Sequence, residues 1–177
     1  MTEHNILIAG FGGQGVLFSG KVIAYAGLID GLEVSWLPSY GPEMRGGTAN
    51  CSVCLSKRTI GSPLVVNPNA FVAMNLPSFD KFIDDVVPGG VVIVDSYLIE
   101  KKVEREDVKA FYVPAQKLAE ENNLKGLSNI ILTGKLFKEL GFCSKEALDE
   151  AVKKCVPAKK AHLLEANYRA IELGMSI

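Results

Sequence analysis

Residues 4–9 read HNILIA and run directly into GFGGQG at 10–15, after which a helical repeat begins. This join constrains the fold more than any other stretch. A short continuous apolar run demands burial on both faces, as in an interior strand of a parallel sheet. The glycines allow a sharp turn and close backbone approach. The helix that follows would then point its free N–H groups and its positive dipole end at the strand's carboxyl end.

The rest of the chain repeats that alternation. Val16, Ile23, Ala24, Ala26 and Gly27 recur at helical spacing within 13–30. Strands are expected at 33–38 (EVSWLP), 48–55 (TANCSVCL), 70–74 (AFVAM), 91–95 (VVIVD) and 110–113 (AFYV). Helices are expected at 76–86, with Ser78 as a cap and Pro77 permitting an earlier start, and at 114–123, 128–141, 144–155 and 159–173. Strands alternating with helices predict an α/β fold, a three-layer α/β/α arrangement with a mainly parallel sheet, Rossmann-like. Section 39–69 carries strands with no helix, so it should add an antiparallel element and make the sheet mixed. With 177 residues and neither a linker nor a repeat, residues 1–177 read as a single domain.

Charge narrows the function. Nineteen Lys and Arg against twenty Asp and Glu leave a net charge of −1, which offers no basic surface for nucleic acid. The sequence has no signal-peptide pattern and no apolar run of about 18 residues, so no membrane role is expected and a cytoplasmic location follows. Cys51 and Cys54 form a CxxC, but on a strand an odd offset points them to opposite faces. With Cys143 and Cys155 they read as buried or half-buried thiols in a reducing compartment, and no metal site is assigned.

GFGGQG satisfies the GxGxxG spacing in the right context. A dinucleotide fold also places an acid after its second strand. Here that strand ends in Leu37, Pro38 and Ser39, and the nearest acid, Glu33, lies at its start. Three readings stay open: a dinucleotide, tight packing alone, or a phosphate or protein contact. A Walker A loop is excluded because no GK[ST] follows. In open α/β sheets ligands gather beyond the carboxyl ends of the strands. Those positions are Gly12, Gly13, Gln14 and Gly15, then Ser39 to Arg45, Asn75, and Asp95 with Ser96. Parallel strands would set SYGPEMRGG (39–47) on one rim with the glycine turn.

No nucleophile–base constellation stands out. The two histidines are His4, near the start, and His162, which reads as a face residue of the last helix. No GxSxG, HExxH or deaminase zinc motif occurs. A furnished rim with no obvious catalytic acid, base or nucleophile suggests that a partner supplies the chemistry.

GFGGQGV at 10–16, LPSYGPEMRGGTANCSV at 37–53 and IGSPLV at 60–65 resemble the gamma subunit of 2-oxoacid:ferredoxin oxidoreductases, the 2-oxoglutarate and 2-oxoisovalerate branch more than the pyruvate or indolepyruvate branch. The resemblance covers essentially the whole chain. It implies a subunit of an enzyme that oxidatively decarboxylates a 2-oxoacid, 2-oxoglutarate favoured, forms an acyl-CoA and passes electrons to ferredoxin. It implies alpha and beta partners, with delta in some complexes, and a homodimer when the subunit is isolated. Thiamine diphosphate and iron–sulfur clusters would lie on other chains, with coenzyme A near this one and no cofactor firmly bound here. In such a subunit Arg45 would offer a fixed charge to a phosphate or carboxylate, or pair with Glu43 or a partner acid. Met44 would be an adaptable apolar contact, and Gln14 the polar group of the glycine turn. Pro42, Gly46 and Gly47 would fix the path of the loop, which Tyr40 and Gly41 complete as ligand or interface residues. The remaining reading is a solvated turn.

Overall fold

Six strands form one mixed sheet in the computed structural model, which describes residues 3–39 and 48–177. They are β1 (His4–Phe11), β2 (Glu33–Ser39), β3 (Thr48–Ser56), β4 (Ala70–Ala73), β5 (Val91–Asp95) and β6 (Lys109–Val113), in the order β2-β3-β1-β4-β5-β6. β1, β4, β5 and β6 are mutually parallel, and β3 runs antiparallel to both its neighbours. Being antiparallel to β3, β2 points the same way as β1. The antiparallel element expected in 39–69 is therefore β3, and residues 57–69 add no further strand.

Period-two alternation divides the strands between two cores. Ile6 and Ile8 of β1, Val72 of β4 and Ile93 of β5 face the larger one, while Leu7, Phe71, Val92 and Val94 face the smaller. The larger face is covered by α1 (Val16–Ile29), α3 (Ala115–Glu121), α4 (Ser128–Leu140), α5 (Lys145–Cys155) and α6 (Leu164–Met175). The smaller face has α2 (Leu76–Phe82), the 3-10 turn Ile83–Asp85 and Ile99. The three layers are thus present but unequal. The heavy layer is knit by α4 and α6, which meet backbone to backbone. A Cβ at Gly134 would strike the Ile171 carbonyl, and one at Gly174 would strike the Ile131 carbonyl.

Several boundaries differ from expectation, among them the following four. β1 continues through Gly10 and Phe11, because both keep pairing with β3. α1 starts at Val16 rather than 13, since Gly13 and Gly15 have φ of 93° and 79°, which no right-handed helix accepts. α2 is capped by Asn75, whose Oδ1 accepts from the Ser78 N–H at 2.8 Å, so Ser78 is not the cap. The last helix is not continuous over 159–173. Residues Ala158–Leu163 form a 3-10 turn with a non-helical Lys160, and none of them is buried. Without an apolar face to hold it, that stretch does not join α6, whose buried side begins at Asn167. His162 accordingly lies exposed on this turn, whereas His4 is buried in β1.

Candidate functional site

The carboxyl ends of β1, β2, β4, β5 and β6 share one rim. Phe11, the last residue of β1, pairs in register with Thr48, the first of β3. Ser39, exposed at the end of β2, pairs with Asn50. Ser39 and Thr48, the described residues on either side of 40–47, are therefore level with Ala9 and Phe11 of β1, close to Gly12. The described ends of β1 and β2 and the start of β3 thus lie on one rim. Tyr40, Gly41, Pro42, Glu43, Met44, Arg45, Gly46 and Gly47 themselves lie outside the described residues. Glu33 pairs with Ser56 at the opposite end of β2, so it is far from the rim.

Within the glycine turn, Gly12 and Gly13 are exposed, and a Cβ on Gly13 would meet open space. Gly15 is the N-cap of α1, and its carbonyl accepts from Asn129 Nδ2 at 3.1 Å. Gln14 is committed inward. Its Oε1 accepts from the Phe11 N–H at 2.6 Å, and its Nε2 donates to the Met74 carbonyl at 3.0 Å. Gln14 therefore ties the turn to the end of β4 instead of offering its amide to a ligand. Gly10 makes room for this tie, because a Cβ there would sit 2.6 Å from Gln14 Oε1.

Behind the turn lies a cleft of about 440 Å³ between α1, the start of α4, the end of α5 and the 158–163 turn. Sequence reading missed it. Phe18, Leu127, Val156, Pro157 and Leu163 give it apolar walls. Lys21 and Lys160 supply positive charge, and no acid lines it. α1 and α4 both begin here, at Gly15 and Leu127, with no side-chain cap and no acid in the first turn. Their first N–H groups have no intrahelical acceptor, so two positive helix ends face one space. Asn129, a lining residue, holds the geometry by donating from Nδ2 to the Gly15 carbonyl and to Ser19 Oγ, each at 3.1 Å.

Along the rim from the glycine turn runs an exposed apolar row: Phe11, Leu76, Tyr97 and Leu98, just at or past the ends of β1, β4 and β5. Beneath it, where β4 and β5 end side by side, Asn75 Nδ2, Ser78 Oγ and Asp95 Oδ2 are buried without partners. Asp95 Oδ1 accepts from the Tyr97 and Ala115 N–H groups at 3.2 and 3.1 Å, so Asp95 clamps the turn after β5 to the start of α3. Burial pushes its carboxyl above the ordinary carboxylate range, against those N–H bonds, which pull it down. A raised folded pKa contributes stability below the unfolded value of about 3.9 and loses it as pH rises through the folded value. The Tm advantage of the parent over Asp95→Asn is therefore expected to shrink with rising pH. Thermal unfolding of both proteins over roughly pH 3–7 checks this, and a gap that widens with pH refutes it.

The cysteines are free and buried. Cys51 Sγ lies 3.6 Å from the Val16 carbonyl and Cys54 Sγ 3.8 Å from that of Ser62, on opposite faces of β3 as expected. Burial pushes Cys51 and Cys143 up to about 12 and Cys155 to about 11, the last against the pull of Lys21 and Lys154. Among the described residues no group of three His, Cys, Asp or Glu is placed to hold a metal ion, so these residues do not fit an iron–sulfur cluster. No described helix is long and apolar enough to cross a membrane.

Sheet, glycine turn and rim together define a Rossmann-like α/β domain. Its relatives say which kind. The chain belongs to the pyruvate ferredoxin/flavodoxin oxidoreductase family, whose model matches residues 5–177. It is 39% identical over 174 residues to the ketoisovalerate oxidoreductase subunit VorA of Methanothermobacter thermautotrophicus, covering 97% of this chain and 36% of that protein. The chain thus spans about a third of the length of that curated relative. The keto/oxoacid ferredoxin oxidoreductase gamma subunit of Geobacter sulfurreducens superposes with a TM-score of 0.84 at 29% identity, over 98% of this chain and 96% of that one. The 2-oxoglutarate:ferredoxin oxidoreductase of Magnetococcus marinus, solved with 2-oxoglutarate, coenzyme A and succinyl-CoA, superposes with a TM-score of 0.89 at 26% identity, over 99% of this chain and 31% of that one.

Proposed function

We propose that this chain is the gamma component of a 2-oxoacid:ferredoxin oxidoreductase and forms the coenzyme A-proximal part of its subunit interface. The complex oxidatively decarboxylates a 2-oxoacid, joins the acyl group to coenzyme A and passes the electrons to ferredoxin. Thiamine diphosphate and iron–sulfur clusters sit on its other chains. One observation carries the reading: the glycine turn, the base of the 40–47 segment and an exposed apolar row share one rim. An apolar row beside an anion-attracting turn suits a surface that another chain covers. 2-Oxoglutarate is the proposed acid, supported by the Magnetococcus enzyme, and 2-oxoisovalerate is the second reading, supported by VorA. The cytoplasm is the proposed location, since ferredoxin chemistry of this kind needs reduced partners.

Purification of the native protein under anaerobic conditions tests this. Partner chains carrying thiamine diphosphate and iron–sulfur clusters should accompany it, with CoA-dependent ferredoxin reduction that is faster on 2-oxoglutarate than on 2-oxoisovalerate. A stable solitary protein that binds NAD tightly overturns the reading. In the assembled complex, Arg45→Ala should either raise the KM for coenzyme A or loosen assembly, and a variant unchanged in both removes Arg45 from the site.

A further inference from the structure

We propose that the smaller face of the sheet is the docking surface for the neighbouring chain of the complex, which meets it with an uncharged, apolar surface. This rests on the proposed function and adds which side of the domain the neighbour takes.

The exposed apolar residues are unevenly placed. Ile6 and Ile8 face the larger core and Leu7 and Ala9 the smaller, so alternation along β1 turns Phe11 to the smaller side. Leu37 of β2 pairs with Ser52, whose neighbours Cys51 and Val53 point into the larger core, so Leu37 also faces the smaller side. Leu76 opens α2, and Tyr97 and Leu98 precede Ile99, which lies in the smaller core. Among the described residues, Leu28, Ile29 and Trp36 are the large apolar groups left exposed on the helix-rich side.

Residues 57–66 extend the surface. Ser52 Oγ accepts from the Val65 N–H at 3.2 Å, and Cys54 Sγ lies 3.8 Å from the Ser62 carbonyl. Both β3 residues point to the smaller face, so this turn lies over it. Val65 is buried there, while its neighbours Leu64 and Val66 are 58% and 62% exposed. The turn is pinned at Val65, which keeps those two side chains outward.

Charge and size agree with a covered face. Residues 59–69 are mostly at the surface and contain no Asp, Glu, Lys or Arg, against 22% charged residues in the whole chain. Depletion of charge around exposed apolar groups marks the core of a protein interface. The apolar residues of this face are between 37% and 62% exposed. Together they present on the order of 500 Å², well over half of the roughly 800 Å² that one partner gives a standard interface.

The relatives favour one occupant. In VorA and in the Magnetococcus enzyme the matching region fills 36% and 31% of the chain, so a large neighbour is tethered to a domain of this kind. Tethering holds that neighbour at high effective concentration beside this surface. Its equivalent is therefore the occupant, in preference to a second copy of this chain.

Glutamate variants test the face. Leu64 and Val66 are exposed, so Leu64→Glu and Val66→Glu should fold normally. In the complex purified anaerobically, each should raise the dissociation constant for the partner chains at least about tenfold, measured by sedimentation. Leu64→Met, which stays apolar, should assemble like the parent. Leu28→Glu, 59% exposed on the opposite side, should change the constant by less than about threefold. If a glutamate variant unfolds, hydroxyl-radical footprinting of the parent decides instead. Assembly should then protect Leu64 and Tyr97 and leave Leu28 as reactive as in the chain alone. Equal loosening by Leu28→Glu and Leu64→Glu, or none by Leu64→Glu, overturns the proposal, and partner chains that still copurify leave the proposed function standing. A dimer of this chain that Leu64→Glu splits, with the partner chains still bound, gives the face to a second copy and also overturns it. A protein that purifies without partners overturns the proposed function and this proposal together.

Discussion

Gly134→Val is expected to cost the fold about 3 kcal/mol, which for a chain of this size lowers Tm by roughly 6–12 °C. The reason is the crossing of α4 and α6. Any Cβ at Gly134 meets the Ile171 carbonyl oxygen and carbon, and backbone cannot rotate away as a side-chain tip can. Neither helix is free to retreat. Ile130, Ile131 and Leu132 hold α4 in the larger core, and Ala170 and Ile171 hold α6 there, all fully buried. The reciprocal contact of Gly174 with the Ile131 carbonyl predicts a similar loss for Gly174→Val. Gly141 is the control. It ends α4 with φ 56° and open space around it, so Gly141→Asn should lose far less. Calorimetric unfolding of the full chain distinguishes these cases. A Gly134→Val protein as stable as Gly141→Asn would mean that the two helices do not touch as described.

The crossing also shows how the sequence could be read and where it falls short. Glycine inside a helical pattern costs about 1 kcal/mol relative to alanine; Gly134 lies inside the helix expected at 128–141, whereas Gly174 reads as the stop after the helix expected at 159–173. Pattern alone could not say that each makes room for the other's helix. The strands were legible because their apolar runs are self-contained: VVIVD at 91–95 needs no distant residue to declare itself. Boundaries were less so. Glycine reads as a turn, so the apolar run suggests a strand that stops before Gly10, yet pairing with β3 carries β1 to Phe11. Leu163 and Leu164 continue the repeat of the last helix back through 159–163, but that stretch finds nothing to bury against.

The rim was legible for a physical reason. Strand direction follows from the alternation of strands and helices, and strand ends then fall together, as Phe11 and Thr48 do. The cleft was not legible. Its residues come from α1, α4, α5, the 158–163 turn and α6, and nothing local marks Asn167 as an unpaired acceptor. The inward role of Gln14 was hidden for the same reason. Its partner, the Met74 carbonyl, lies at the end of β4, and only the parallel pairing of β1 with β4 brings the two together.

Gly15→Ala should do more damage than Gly13→Ala, although both replace a glycine of positive φ. Forcing alanine into that region costs about 1–2 kcal/mol at either position. Around Gly13 there is nothing for the new methyl to strike. At Gly15 the methyl would lie 2.5 Å from Asn129 Nδ2. Asn129 would have to move, giving up its bonds to the Gly15 carbonyl and to Ser19 Oγ, which are buried and cost roughly a further 1–2 kcal/mol to lose. The total for Gly15→Ala is then about 2–4 kcal/mol. The same movement shifts the starts of both α1 and α4, the two helix ends that open on the cleft. On the proposed function, in which this chain forms the coenzyme A-proximal interface, Gly15→Ala in the assembled complex should raise the KM for coenzyme A by about tenfold, with Gly13→Ala changing it much less. A double-mutant cycle with Asn129→Ser separates the causes. If the clash with Asn129 outweighs the backbone strain, shortening that side chain should recover part of the Gly15→Ala loss and none of the Gly13→Ala loss. Additive effects in the cycle would place the whole cost in backbone strain and sever the glycine turn from the cleft behind it.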